Sequence, residues 1–137
     1  MKQEESKLAE NIAQYLKLKK ILYRYDIADL KLTMPQAMRM KKLQMDFRGY
    51  PDLFLCEPRV GYHGMYIELK KNKSEVFLKD GVTYKKKKIK RGGKIYDHIQ
   101  EQVLMQERLR DKGYFVVWGF GFEDTVEKIN LYLSGKC

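Results

Sequence analysis

Cysteine is scarce in this sequence: Cys56 and Cys137 are the only two in 137 residues. One sits in an apolar run and the other ends the chain, so a disulfide framework is excluded and a reducing, intracellular (cytoplasmic) compartment is expected. Histidine is as rare, and His63 and His98 have no Cys or His companions at metal-ligand spacing, which argues against a zinc site. No apolar stretch approaches the roughly 20 residues a membrane helix needs. No signal-peptide pattern and no internal repeat is present. A chain of this length is expected to form one domain, residues 1–137, around a single core.

Acidic residues are also in short supply, 18 against 28 Lys and Arg, leaving a formal charge of +10. Eleven of the bases and two acids, Glu75 and Asp80, fall between Lys70 and Lys94, so that window carries +9 (11 − 2). One reading is a solvated basic loop. The other is a track for a polyanion, made of Lys71, Lys73, Lys85, Lys86, Lys87, Lys88, Lys90, Arg91 and Lys94, where neutralised phosphates release counterions. Charge alone also permits membrane binding, but no amphipathic apolar face accompanies the run.

The track begins at a lysine with chemical company. Pro51-Asp52 is followed, after a gap, by Glu68-Leu69-Lys70, the carboxylate pair and lysine that a metal-dependent phosphodiester hydrolase needs. Asp52–Cys56 and Met65–Leu69 are short runs rich in β-formers, separated by turn-forming Glu57–Gly61. If they pair antiparallel about Val60, facing residue numbers sum to about 120 and Asp52 lies opposite Glu68. Facing side chains then sit roughly 4.5–5.5 Å apart. Lys70 shares their face, because side chains alternate with period two. A slip of one residue would separate the three. Leu53, Leu55, Met65, Ile67 and Leu69 share one face, with Phe54, Cys56 and Tyr66 on the other, so both faces need covering by helices.

Around this hairpin the pattern predicts a helix over residues 3–19 with a Leu8, Ile12, Tyr15 and Leu16 stripe. Glu5 falls within that stripe, where it either meets a metal ion or complements the helix dipole at a frayed end. A strand is expected over Ile21–Ile27. Thr33-Met34-Pro35-Gln36 has the form of a capping box opening a helix to about Asp46. Asp80-Gly81 predicts a projecting β-arm formed by 74–79 and 82–88, with Arg91–Lys94 a flexible return. The clearest helix runs from Tyr96 to Lys112, ended by Gly113, with Ile95, Ile99, Val103 and Leu109 apolar. Gln102 and Gln106 lie inside that face and need hydrogen-bond partners, either a backbone carbonyl or water, or the metal site itself. His63 is expected at the surface, while His98 opens the helix near Lys94, within reach of a phosphate. A strand over 114–118 and a helix over 122–133 close the chain.

Gly49-Tyr50-Pro51-Asp52-Leu53, then Ile67-Glu68-Leu69-Lys70, then Gln102, Leu109 and Gly113-Tyr114 resemble the VRR-type nuclease (VRR-NUC) domain of the PD-(D/E)xK superfamily, in its small stand-alone bacteriophage form. The resemblance covers nearly the whole chain. It implies an α/β, restriction-endonuclease-like core, a mixed sheet flanked by helices, with a Lys-rich insertion at about 72–96. It also implies Mg²⁺ (or Mn²⁺) bound by Asp52, Glu68 and the Leu69 carbonyl, with Glu5 in the position of the family's helix-one glutamate. Lys70 would activate or position water, and Gln102 would support the site. The family often has Gln where this chain has Ala9.

The expected function is thus metal-dependent, structure-selective DNA cleavage. Resolution of four-way (Holliday) junctions by a homodimer is favoured, since paired incisions match twofold symmetry. Exposed apolar residues of the Met34–Phe47 helix are the candidate contact. The alternatives are a flap, nicking or restriction-like nuclease, a non-catalytic DNA-binding module, and a basic RNA-binding protein. The last explains the charge but not the carboxylates.

Overall fold

A computed structural model describes residues 2–26, 32–45 and 48–137, with side chains from residue 6. Helix α1 (Lys2–Leu18) leads into a short strand β1 (Tyr23–Tyr25) and helix α2 (Met34–Leu43). Strands β2 (Leu53–Leu55) and β3 (Met65–Lys70) form the expected hairpin, and a hairpin of β4 (Lys88–Arg91) and β5 (Lys94–Asp97) follows. Helix α3 (His98–Asp111), strand β6 (Phe115–Phe120) and helix α4 (Gly121–Leu133) complete the order. β1, β2, β3 and β6 make one mixed sheet in that order, with β3 and β6 parallel and the other pairs antiparallel. This is the predicted α/β architecture.

The stripe on α1 behaves as its spacing dictates. Leu8, Ile12 and Leu16 are buried against Leu53, Leu55, Met65, Ile67 and Leu69 of the hairpin and Ile129 and Tyr132 of α4. The opposite face is covered by α3, through Met105 and Leu109 against Val116 and Tyr66. Both faces of β3 are therefore largely covered, and a charged residue buried on it must be held by partners. Gly119 of β6 lies where a Cβ would come 2.4 Å from the Thr125 hydroxyl, so its lack of a side chain lets α4 close on the sheet.

The capping box forms: Thr33 accepts from the Gln36 N–H and the Gln36 side chain accepts from the Thr33 N–H. Helix α2 ends at Leu43, three residues short of expectation, and Asp46 and the strand end at Ile27 lie outside the described residues. The basic insertion departs further. The chain does double back at Asp80-Gly81 as expected, with the Leu78 N–H donating to the Thr83 carbonyl and the Lys85 N–H to the Val76 carbonyl, but residues 71–87 lie against the core and do not project as a β-arm. They fold back through a 3₁₀ turn, Lys73–Glu75, and a Phe77–Tyr84 bridge. Val76, fully buried, packs with Ile99 and Trp118, and Phe77 stacks on Tyr84 at 5.1 Å. Asp80 caps the turn by accepting from the Val82 and Thr83 N–H groups. The supposed flexible return is the turn of the β4–β5 hairpin, where Gly92 and Gly93 both take positive φ (54° and 79°). A two-residue turn with both φ positive matches the twist of its strands. This hairpin takes Tyr96 and Ile95 out of the predicted helix, and Ile95 is 63% exposed, not part of its apolar face. Asp97 caps α3 instead, accepting from the Ile99 and Gln100 N–H groups.

Candidate active site

The predicted register is the observed one. Leu53 faces Ile67, Phe54 faces Tyr66 and Leu55 faces Met65, each pair summing to 120 (53 + 67, 54 + 66, 55 + 65). Continued one residue past its last pair, this register sets Asp52 across from Glu68. The Asp52 carboxylate is fixed by accepting from the Leu69 N–H at 2.8 Å. Glu68 is 4% exposed and accepts from the Gln102 side-chain N–H at 2.8 Å. A charge-assisted bond of this kind holds a carboxylate's orientation in a low-dielectric setting. Of the two glutamines in the α3 face, it is Gln102 that meets the site. Gln106, also buried, accepts from Arg110, which in turn donates to the Val116 carbonyl.

Gly49 makes this arrangement possible. Its φ is +76°, and a Cβ there would lie 2.4 Å from the Glu101 carbonyl oxygen. The Gly49–Asp52 segment thus runs against the backbone of α3, which brings Asp52 and Gln102 together.

Asp52, Glu68 and Gln102 line a cavity of about 630 Å³ with Arg48, Arg91, Lys94, Tyr96 and His98. Two guanidinium groups flank one ring: Arg48 lies 5.1 Å and Arg91 5.4 Å from the Tyr96 centroid. Arg91 is held by Glu101 at 2.7 Å, and His98 Nδ1 approaches the other Glu101 oxygen at 3.5 Å. Burial pulls the His98 pKa down, and the Lys70 charge pulls it further, against the opposing Glu101. Burial raises Glu101, but the Arg91 hydrogen bond and charge, with help from His98, leave it below the ordinary carboxylate value.

Lys70 ends β3, half-buried on the Glu68 face, and is close enough to act on His98, but its side chain does not line the cavity. The Glu5 side chain lies outside the described residues. Of the nine residues predicted to meet phosphates, Arg91 and Lys94 line the cavity. Lys73, Lys86, Lys87, Lys88 and Lys90 are exposed, and Lys71 and Lys85 half-buried. His63 is exposed and packs on Tyr114.

Sequence reasoning missed Asp26, Arg48 and Tyr96. Asp26 follows β1, whose pairing with β2 places it beside Asp52, and its N–H donates to the Asp52 carbonyl at 2.7 Å. A Tyr-Arg-Tyr-Asp strand end was the available signal, but nothing local says which strand it joins.

Among the described residues, no three His, Cys, Asp or Glu side chains group to hold a metal ion. Asp52 and Glu68 still fit a hard cation that keeps waters and takes backbone oxygens, for both carboxylates face one cavity. The buried Gln102 Oε1 also lacks a hydrogen-bond partner among the described residues.

No protein-family model and no curated protein matches this chain. Among solved structures, a VRR_NUC domain protein matches with 21% identity and a TM-score of 0.52, over 82% of this chain and 67% of that one. The chain has the fold of that VRR_NUC domain protein.

Proposed function

We propose that this chain is a metal-dependent endodeoxyribonuclease of the VRR-NUC family and PD-(D/E)xK type. Its favoured substrate is branched DNA, four-way junctions above all, cut by a homodimer. The observation that carries this reading is the carboxylate pair. Asp52 and Glu68, facing each other by the β2–β3 register and each held by a donor, line one cavity with Arg48, Arg91 and Lys94. Asp52 and Glu68, with the Leu69 carbonyl and Glu5, are the proposed ligands. A bound Mg²⁺ or Mn²⁺ supplies polarisation of the phosphoryl oxygen and a lowered pKa for attacking water. Gln102 keeps Glu68 oriented toward the cavity. Arg48, Arg91 and Lys94 neutralise the substrate phosphates. Lys70, on the Glu68 face of β3 but outside the cavity lining, is assigned the stabilisation of charge developing at the cleaved phosphate, which requires its side chain to swing toward bound substrate.

Intact Asp52, Glu68 and Lys70 favour catalysis over a binding-only module. One chain carries one such site, so paired incisions call for two chains. The exposed Met34, Met38 and Leu43 of α2 are the proposed contact. Free, exposed Cys56 and Cys137 suit a reducing compartment such as the cytoplasm.

The test is incubation of labelled junction, flap, nicked and linear duplexes with Mg²⁺ or Mn²⁺, alongside Asp52→Asn, with sedimentation to fix the mass of the active species. Metal-dependent paired cuts in junctions by a dimer are expected. Equal cleavage by Asp52→Asn would remove the catalytic assignment. A strictly monomeric enzyme at cleaving concentrations would remove the junction-resolving dimer in favour of flap or nicking activity.

A further inference from the structure

A second cavity, of about 450 Å³, adjoins the first. One wall is α2, through Ala37, Met40 and the C-cap residue Gln44, and an aromatic wall is made by Tyr50, Phe54 and Tyr66. α2 buries none of its own residues, so the space beneath it is not filled by a packed helix face. The aromatic wall is continuous: the Phe54 and Tyr66 rings lie 4.5 Å apart and Tyr50 lies 6.4 Å from Tyr66. Polar residues complete the lining, namely Arg24, Asp26 and Gln44. Asp26, Lys41, Tyr50 and Asp52 belong to both cavities, so the aromatic wall begins where the carboxylate site ends.

An aliphatic ligand would have no use for the polar residues, and a free anion none for the rings. A flat heteroaromatic with donors and acceptors on its rim uses both, and stacking on aromatic side chains is how single nucleotides are held outside a helix. Burial and the neighbouring Tyr114 and Tyr50 hydroxyls push the Tyr66 pKa to about 12, so its hydroxyl keeps a proton to donate.

We propose that this cavity receives one unstacked nucleobase of the strand whose adjacent phosphate lies at Asp52 and Glu68. The proposal rests on the nuclease reading and deepens it. A base must leave its helix to enter, which is cheapest beside a junction, flap or gap and dearest in intact duplex. Selection of branched DNA then follows from the site itself, in one protomer, before any symmetry between two copies is invoked.

The experiment measures binding in EDTA, where hydrolysis plays no part. End-labelled splayed-arm duplexes carry either a normal base or an abasic residue at each unpaired branch nucleotide in turn, and affinity is read by anisotropy. The variants are Ala37→Trp, which fills the cavity from a half-buried position on α2, and Tyr50→Ala, which removes the ring at its mouth without filling it. Wild type is expected to lose about tenfold or more in affinity at one abasic position, within the range known for a single stacked base. Both variants are expected to bind normal and abasic forms alike, and Ala37→Trp, which lies outside the carboxylate cavity, is expected to leave affinity for the abasic form unchanged. Equal binding of all forms by folded wild type would overturn the proposal, as would a base-dependence that Ala37→Trp or Tyr50→Ala leaves intact. A base-dependent wild type that cuts nothing with Mg²⁺ or Mn²⁺ would defeat the nuclease reading alone. Cleavage without base-dependence would defeat the cavity assignment alone.

Discussion

The end of the β2–β3 ladder and the basic segment from Lys71 to Lys94 carry the two halves of the proposed function, and they are built differently. At the ladder end each carboxylate is set by the strand register and held by a hydrogen-bond donor, the Leu69 N–H for Asp52 and Gln102 for Glu68. The basic segment is anchored by apolar groups, Val76, Phe77 and Tyr84, while Lys73 and Lys86–Lys88 stand in solvent. Chemistry at a phosphate requires oxygens placed to a fraction of an ångström, so it draws on a sheet and a helix. Attraction of a polyanion requires only charge density, so a pinned loop suffices.

The sharpest way to break that contrast is Glu68→Gln, which keeps side-chain size and removes one charge. DNA cleavage is expected to fall below detection, with thermal stability and DNA affinity in EDTA retained. A variant that still cleaves at the wild-type rate would show that the locked pair is not the reacting centre. Gly49→Ala probes the same geometry without touching a charge. Its Cβ would meet the Glu101 carbonyl at 2.4 Å, forcing the Pro51-Asp52 segment away from α3. Misplacement by an ångström can cost about a hundredfold, and overpacking about 1–3 kcal/mol, so both kcat and Tm should drop. An unchanged kcat would mean that the close approach does not position Asp52.

Replacing Lys85–Lys88 with Ser should leave kcat at saturating DNA nearly unaltered and weaken binding across sequences. The slope of log K against log salt should shrink by about 0.9 for each duplex phosphate that is no longer neutralised. An unaltered slope would make the run a solvated face. The smallest effect concerns His98. Its folded-state pKa is depressed, so the unfolded chain takes up the proton more readily, and its contribution to stability is present above the ordinary histidine value and lost as pH falls through the folded one. Denaturant midpoints between pH 7 and pH 5 should therefore fall less for His98→Gln than for wild type. Parallel pH profiles would contradict the half-buried imidazole acted on by Lys70.

Legibility in the sequence divides along the same line. Periodicity located Leu8, Ile12 and Leu16, turn chemistry located the Asp52–Glu68 register, and a capping box located α2, because each of these is a local rule. The β4–β5 hairpin was missed although Gly92-Gly93 is a good two-residue turn signal, since the lysines around it mask any strand alternation. Tyr96 was drawn into α3 because Ile95 and Ile99 share a helical spacing, and Asp97 won as the cap. Asp26 and Arg48 reach the site only through a long-range pairing and a loop, which no local pattern encodes.

Calorimetric titration of Mn²⁺ into DNA-free protein tests most directly whether Asp52 and Glu68 together form a divalent-cation site. Wild type should show saturable binding that Asp52→Asn and Glu68→Gln each abolish, with circular dichroism unchanged. Binding of equal strength in the folded variants, or none in wild type up to millimolar Mn²⁺, would contradict that assignment.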